Sequence, residues 1–261
     1  MKPPAVHGHR GARAVLPENT LPAFEYAIRA GVDAIELDVL ATRDDVLVVT
    51  HDPLINGDLC TGGRAGVAIR DLTFAELCRY DCGSRTNPKY PRQRAAPGVR
   101  IPSLDETLDL WRLGDFIFNI EVKSFPAPEL APAPADYARL LLERIAAHRL
   151  LDRVLVQSFD FRVLHEVARV NDAIPLAALW EGPERDPVEI ALEAGASMVS
   201  LAHTLVTRDG VSRAADAGLK TLAWTANDEP AWRPLIDAGV DAIITDDPAA
   251  LIEFLRDSTA S

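Results

Sequence analysis

Eight short runs of β character recur along the chain with amphipathic stretches between them, and this alternation restricts the fold more than any other feature. The runs are AVHGH (5–9), AIELDV (34–39), FIFNIEVK (116–123), VLVQSF (154–159), PLAALW (175–180), MVSLA (198–202), KTLAWT (220–225) and AIITD (242–246). Between them lie TLPAFEYAIRAG, SLDETLDLWRLG, ADYARLLLERIAAHRL, FRVLHEVARVN, VEIALEAGA, AADAGL and EPAWRPLIDAGV, several of which reach the glycine expected just past a helix C-terminus. Strands that alternate with helices build parallel sheets through crossover connections. Eight such units in roughly 250 residues match a closed (β/α)8 TIM barrel, with a doubly wound open sheet as the alternative arrangement of the same parts. With 261 residues, 48% of them hydrophobic, the chain has enough apolar material for a single barrel domain over 1–261.

A ninth run, VLVVTHD (46–52), follows the second too closely for a parallel crossover, which takes about a dozen residues. It must return antiparallel as a hairpin. A turn centred between Asp44 and Asp45 makes paired positions sum to about 89, which brings His51 opposite Asp38 to within a residue or two. Residues 53–102 fit no βα unit; they hold NGD, TGG, all the cysteines and PKYPRQR, and read as an inserted cap subdomain. The barrel resumes at a capping box from Ser103 to Glu106. The proline-rich stretch FPAPELAPAPAD (125–136) reads as a stiff loop over the mouth.

The charge balance, 27 basic against 39 acidic residues for a net −12, repels phosphate backbones and anionic lipid, so neither nucleic acid nor a membrane surface is an expected partner. No apolar run approaches the ~20 residues that span a bilayer, and the first residues lack the apolar region of a secretory signal. A soluble, cytoplasmic protein is the expectation. Cys60, Cys78 and Cys82 match no zinc spacing and are expected to be reduced thiols.

In a (β/α)8 barrel the reacting groups sit at the C-terminal ends of the strands. Those ends supply His9 and Arg10, Glu36 and Asp38, Glu121 and Lys123, Gln157 and Ser158, Glu181, His203, Trp224, and Asp246 and Asp247. Glu36 and Asp38 lie two apart, so a strand sends both to one face while Ile35, Leu37 and Val39 take the other. Carboxylates gathered in a lumen repel one another unless a cation joins them. Glu36, Asp38 and Glu121 together form a hard oxygen set suited to one divalent cation, Mg2+ or Ca2+. The alternative is a Glu121–Lys123 ion pair, with arginines binding the other two.

His9 and His51 flank these carboxylates and read as an acid/base pair, or else as ligands or structural histidines. His7, His148 and His165 carry no claim, and His203 reaches the mouth without a partner. Arg10 and Lys123 offer fixed positive charge to a phosphate. Glu18 and Asn19, in PENT (17–20), support Arg10 or His9 from behind, and Thr20 is a plausible N-cap. Trp224 packs either on the organic part of a substrate or into the core.

Taken in order, HRGA (9–12), PENT (17–20), GVDAIELDV (31–39), TRD (42–44), VTHD (49–52), IPSLDE (101–106), NIEVK (119–123), QSF (157–159), WTAN (224–227) and ITDDP (244–248) resemble the glycerophosphodiester phosphodiesterase family from about residue 7 to residue 250. The resemblance implies a (β/α)8 barrel with a small insertion after the hairpin. It implies hydrolysis of small-molecule glycerophosphodiesters to an alcohol and glycerol 3-phosphate, assisted by a divalent cation. Carried over by position, Glu36, Asp38 and Glu121 match the ligands, His9 and His51 the acid/base pair, and Arg10 and Lys123 the phosphate contacts. The chain departs from many relatives at PLINGDLCTGG (53–63), where those have an arginine–threonine turn, so cap geometry and substrate choice are least constrained. Two other functions fit the same residues: a lysophospholipase D, which needs an apolar rim from Leu54, Ile55 and Leu59, and a phosphate-ligand binding module without turnover.

Overall fold

The computed structural model describes residues 3–127 and 129–259. In chain order its strands are β1 (Ala5–Gly8), β2 (Ala34–Ala41), β3 (Leu47–Val49), β4 (Ile117–Val122), β5 (Val154–Ser158), β6 (Leu176–Trp180), β7 (Met198–Ala202), β8 (Lys220–Trp224) and β9 (Ala242–Thr245). All but β3 pair in parallel, and β1 bonds to both β2 and β9, so the sheet closes on itself. That closure removes the open-sheet alternative and makes the fold a TIM barrel.

The helices are α1 (Leu21–Ala30), α2 (Phe74–Leu77), α3 (Leu104–Leu108), α4 (Pro134–Ala147), α5 (Phe161–Val170), α6 (Pro187–Ala194), α7 (Arg208–Asp216), α8 (Glu229–Ala238) and α9 (Pro248–Thr259). Their inner faces cover the barrel wall. Ile35, Leu37 and Val39 of β2 are fully buried against this layer, each burial being worth about 1.5–3 kcal/mol. α1, α6 and α8 end on Gly31, Gly195 and Gly239 in the left-handed conformation, as their sequences require. The box at Ser103 and Glu106 caps α3 in both directions.

Several local expectations shift. α7 begins at Arg208, upstream of the AADAGL stretch, because the Thr207 hydroxyl accepts from Gly210 N and starts the helix there. Thr20 sits at the N-cap of α1 but makes no side-chain cap; its hydroxyl donates instead to Pro17 O at 2.6 Å. In the 125–136 stretch, Pro134 already opens α4 and position 128 lies outside the described residues.

β3 runs antiparallel to β2, with Val39 opposite Val49, Leu40 opposite Val48 and Ala41 opposite Leu47. The inserted segment packs on the far side of this hairpin. Leu40 and Val48 share a separate apolar cluster with Ile55, Ile69, Leu77, Tyr80, Cys82 and Ile101.

Cys60 and Cys82 are joined in a disulfide and Cys78 is free, which corrects the expectation of three thiols. The cause is local pairing: Thr61 and Asp81 form an antiparallel bridge, which sets their neighbours 60 and 82 side by side.

Candidate active site

The register of β2 and β4 assembles the centre of the site. Asp38 pairs directly with Glu121, and Glu36 with Asn119, so three carboxylates from two adjacent strands face one lumen. One oxygen from each of Glu36, Asp38 and Glu121 lies within 4.8 Å of the others, and all three side chains are buried. Lys123 Nζ reaches Asp38 Oδ1 at 3.0 Å and Glu121 Oε1 at 2.5 Å. Arg10 Nε lies 3.1 Å from Asp38 Oδ2, and the Arg10 backbone N–H donates to Glu36 Oε2 at 2.9 Å.

The electrostatics are uneven across the trio. Burial pushes Asp38 up, yet Lys123 and Arg10 outweigh it and hold this carboxyl well below its ordinary range. Glu36 is driven well above its ordinary value by burial and then by the charges of Asp38 and Glu121. Glu121 rises through burial, with Lys123 opposing. Three carboxylates thus face two fixed cations, and Glu36 pairs with neither of their side chains but takes the Arg10 backbone N–H and a long 3.4 Å bond from Gln157 Nε2. A divalent cation fits this residual charge and this oxygen donor set; the ion pairs expected under the alternative reading are also present, at Asp38 and Glu121.

Each proposed acid/base histidine is tethered by a carboxylate. His9 Nδ1 lies 2.5 Å from Asp246 Oδ1, which leaves Nε2 directed at the trio, 4.0 Å from Glu36 Oε2. Burial lowers the His9 imidazole, opposed by its bond to Asp246. His51 Nδ1 lies 2.7 Å from Asp52 Oδ1, and Asn56 Nδ2 donates to the other oxygen at 2.9 Å. The bond from His51, followed by that from Asn56, outweighs burial and brings Asp52 down to about 2. His51 lies within electrostatic reach of both Asp38 and Glu121.

The turn after β1 carries Arg10 and is locked from behind. Glu18 Oε1 holds Arg10 Nη1 at 2.5 Å, and Asn19 Nδ2 donates to Asp38 Oδ2 at 2.7 Å. Trp224 stands half-buried at the end of β8, away from these contacts, with Nε1 donating to Ser200 O at 3.0 Å. Its ring meets the exposed Phe159 edge-on at 5.5 Å. His203 lies at the start of a short 3-10 turn after β7 and joins none of these contacts, and His7, His148 and His165 also stand outside the group.

Asp246, Asp52, Asn56, Asn227 and Tyr90 had no assigned role in the sequence. Barrel closure is the signal that finds Asp246: β1 pairs with β9 through Gly8 and Thr245, so the next residues, His9 and Asp246, emerge together.

A buried carboxylate trio able to hold a cation, with two carboxylate-bonded imidazoles beside it at the C-terminal mouth of a closed parallel barrel, is the kind of site that suits phosphoric diester hydrolysis. The sequence profile of the glycerophosphoryl diester phosphodiesterase family matches residues 9–250. A glycerophosphodiester phosphodiesterase of Caldanaerobacter subterraneus subsp. tengcongensis is 32% identical over 255 residues, 96% of this chain and 97% of the relative. A solved structure from Silicibacter pomeroyi DSS-3, provisionally named a glycerophosphoryl diester phosphodiesterase, superposes with a TM-score of 0.91 at 31% identity, covering 98% of this chain and 94% of that one. The fold is shared too with an Oleispira antarctica phosphodiesterase in complex with the product sn-glycerol-3-phosphate, at a TM-score of 0.83 and 24% identity over 97% of both chains. The chain belongs to the glycerophosphoryl diester phosphodiesterase family.

Proposed function

We propose that the protein hydrolyses glycerophosphodiesters to an alcohol and glycerol 3-phosphate with one divalent cation, Mg2+ or Ca2+, held by Glu36, Asp38 and Glu121. The observation that carries this reading is the convergence of those oxygens within 4.8 Å, one negative charge in excess of Arg10 and Lys123. When bound, such a cation polarises the phosphoryl group and stabilises charge on its oxygens. Arg10 and Lys123, oriented by their acidic neighbours, bind phosphoryl oxygens and fix the diester for in-line displacement. His9 and His51 exchange protons through the ring nitrogens left free by Asp246 and Asp52: one takes a proton from the attacking hydroxyl or water, the other gives one to the departing alkoxide. Glu18 and Asn19 keep Arg10 and Asp38 in place, and Trp224 lines the organic side of the substrate.

Small headgroups suit the mouth better than lysolipids. Of Leu54, Ile55 and Leu59, Ile55 is buried and Leu59 half-buried, so the insertion offers the apolar surface of Leu54, 43% exposed, to a rim otherwise apolar at Phe159. Among the described residues no helix is long and apolar enough to cross a membrane. The Cys60–Cys82 bridge suits an oxidising compartment and weighs against the cytoplasm.

The test is release of glycerol 3-phosphate from glycerophosphocholine after chelation and re-addition of Mg2+, Ca2+ or Mn2+. Turnover should vanish with the chelator and return with a cation, and Glu36→Gln should lower kcat by more than about 100-fold, since even residues behind a metal ligand cost 10–100-fold. His51→Ala should cost about 10^2–10^4-fold. Undiminished turnover in either variant, or tight product binding without hydrolysis, would refute the reading.

A further inference from the structure

The insertion reaches back to the mouth through residues 87–93. Tyr90 donates its hydroxyl to Asp246 Oδ2 at 2.9 Å, and Asn227 Nδ2 donates to the same oxygen at 2.8 Å. The other oxygen, Oδ1, holds His9 Nδ1. Two donors from separate parts of the chain therefore saturate one oxygen of Asp246 and aim the other at the imidazole. Burial, followed by the charge of Asp246, pushes the Tyr90 phenol up, which keeps it a proton donor at any working pH.

The ring itself is clamped. The Arg13 guanidinium lies 5.3 Å from the centroid of Tyr90, and Arg13 Nε pairs with Glu18 Oε2 at 2.6 Å, the same carboxylate that holds Arg10. Gln93, buried, donates to Arg13 O at 2.7 Å and Leu16 O at 3.2 Å and accepts from Asn87 N at 2.6 Å. The segment that presents Tyr90 is thus stapled to the turn that presents His9 and Arg10.

We propose that Tyr90 is a positioning residue for the hydrolysis: from the insertion it fixes the Asp246 carboxylate, and through it the His9 imidazole. The Tyr90 hydroxyl bonds Asp246 and none of the three trio carboxylates. Its effect passes through a single hydrogen bond to a carboxylate that already carries its partner histidine. The docked insertion is then part of the acid/base apparatus, not only a cover over the mouth. This inference rests on the role given to His9 above.

Tyr90→Phe removes one hydroxyl and keeps the ring over which Arg13 lies. With glycerophosphocholine and the activating cation, it should lower kcat about tenfold, within the range known for groups that orient a reacting or ligating side chain. KM and cation affinity, the latter measured by calorimetry, should stay within twofold. Asp246→Asn should lower kcat further, and adding Tyr90→Phe to it should cost nothing more, because the hydroxyl acts only through that carboxylate. Arg92→Ala cuts a different contact between insertion and rim, the 2.9 Å pair with Asp247, and should leave kcat within twofold. The Nδ1 proton resonance of His9 should shift in Tyr90→Phe and not in Arg92→Ala, a readout that needs no turnover.

Wild-type kcat in Tyr90→Phe, equal losses in Tyr90→Phe and Arg92→Ala, or losses that multiply in the Tyr90→Phe/Asp246→Asn pair would each overturn the inference. An active parent enzyme with an unaffected Tyr90→Phe removes this inference alone. A parent inactive with Mg2+, Ca2+ and Mn2+ removes the functional reading together with it.

Discussion

His7 lies two residues before His9 but faces the buried interior of the barrel, where Asn119 Nδ2 donates to its Nδ1 at 3.3 Å. Burial, opposed by Asp33, brings its imidazole down to about 4. The folded protein therefore resists protonation at His7 while the unfolded chain accepts it near 6.5. Stability is unaffected above that value and falls as pH drops from about 6.5 toward 4, by about 3 kcal/mol in all. His7→Asn, neutral throughout, should flatten this part of a urea-denaturation pH profile; an unchanged acid limb would show that His7 does not carry it. At the same scale, Glu36 and Asp38 were legible because two residues on a strand share a face, and Glu121 because its strand ends at the same mouth. The roles of Asp52 and Asp246 were not, since a carboxylate that orients a histidine is recognisable only once its neighbour in space is known.

The turn between β1 and α1 brings Arg10 and Asn19 against the carboxylate trio, and its backbone is unusual. Arg10 and Asn19 both have positive φ, 48° and 56°, and Asn19 N donates to Arg10 O at 3.0 Å, closing the loop. Asparagine tolerates the left-handed region better than most residues, and here its side chain also bonds Asp38. Asn19→Ala should cost about 2–4 kcal/mol in urea unfolding, combining backbone strain with the loss of a buried bond to a charged group. Asn19→Gly relieves the strain but not the lost bond, so it should be more stable than Asn19→Ala by about 1 kcal/mol. Equal stabilities would remove the backbone from the explanation. The β2–β3 hairpin shows how far an element can be read in advance: its short connection forces antiparallel return, and the observed pairs sum to 88, one from the expected register. That single residue places His51 next to the Asp38 pairing position, with Thr50 N donating to Asp38 O at 3.0 Å. The α7 boundary was harder because Gly210 interrupts the apolar period where the helix starts.

At the scale of the whole molecule, the barrel and the insertion obey different rules. The barrel was legible because one unit recurs and closure leaves few ways to arrange eight of them. The insertion has no period, and its cysteines reveal their pairing only through the Thr61–Asp81 bridge. Its apolar cluster is small and rests on Leu40 and Val48, borrowed from the hairpin. A bridge joining residues 22 apart is worth about 3 kcal/mol by loop-closure entropy, a large share of what so small a cluster can supply. Cys60 and Cys82 also line a small cavity together with His51, Asp52 and Asn56. Reduction, or the Cys60→Ser/Cys82→Ser pair, should therefore speed amide exchange across residues 53–102 while barrel strands such as β4 and β5 keep their protection, because the main core contains neither cysteine. Turnover should fall along with it, as the His51–Asp52–Asn56 chain loses its backing. Uniform loss of protection in barrel and insertion alike would mean that the two unfold as one unit, and unchanged exchange in both would mean that the cluster holds without its bridge.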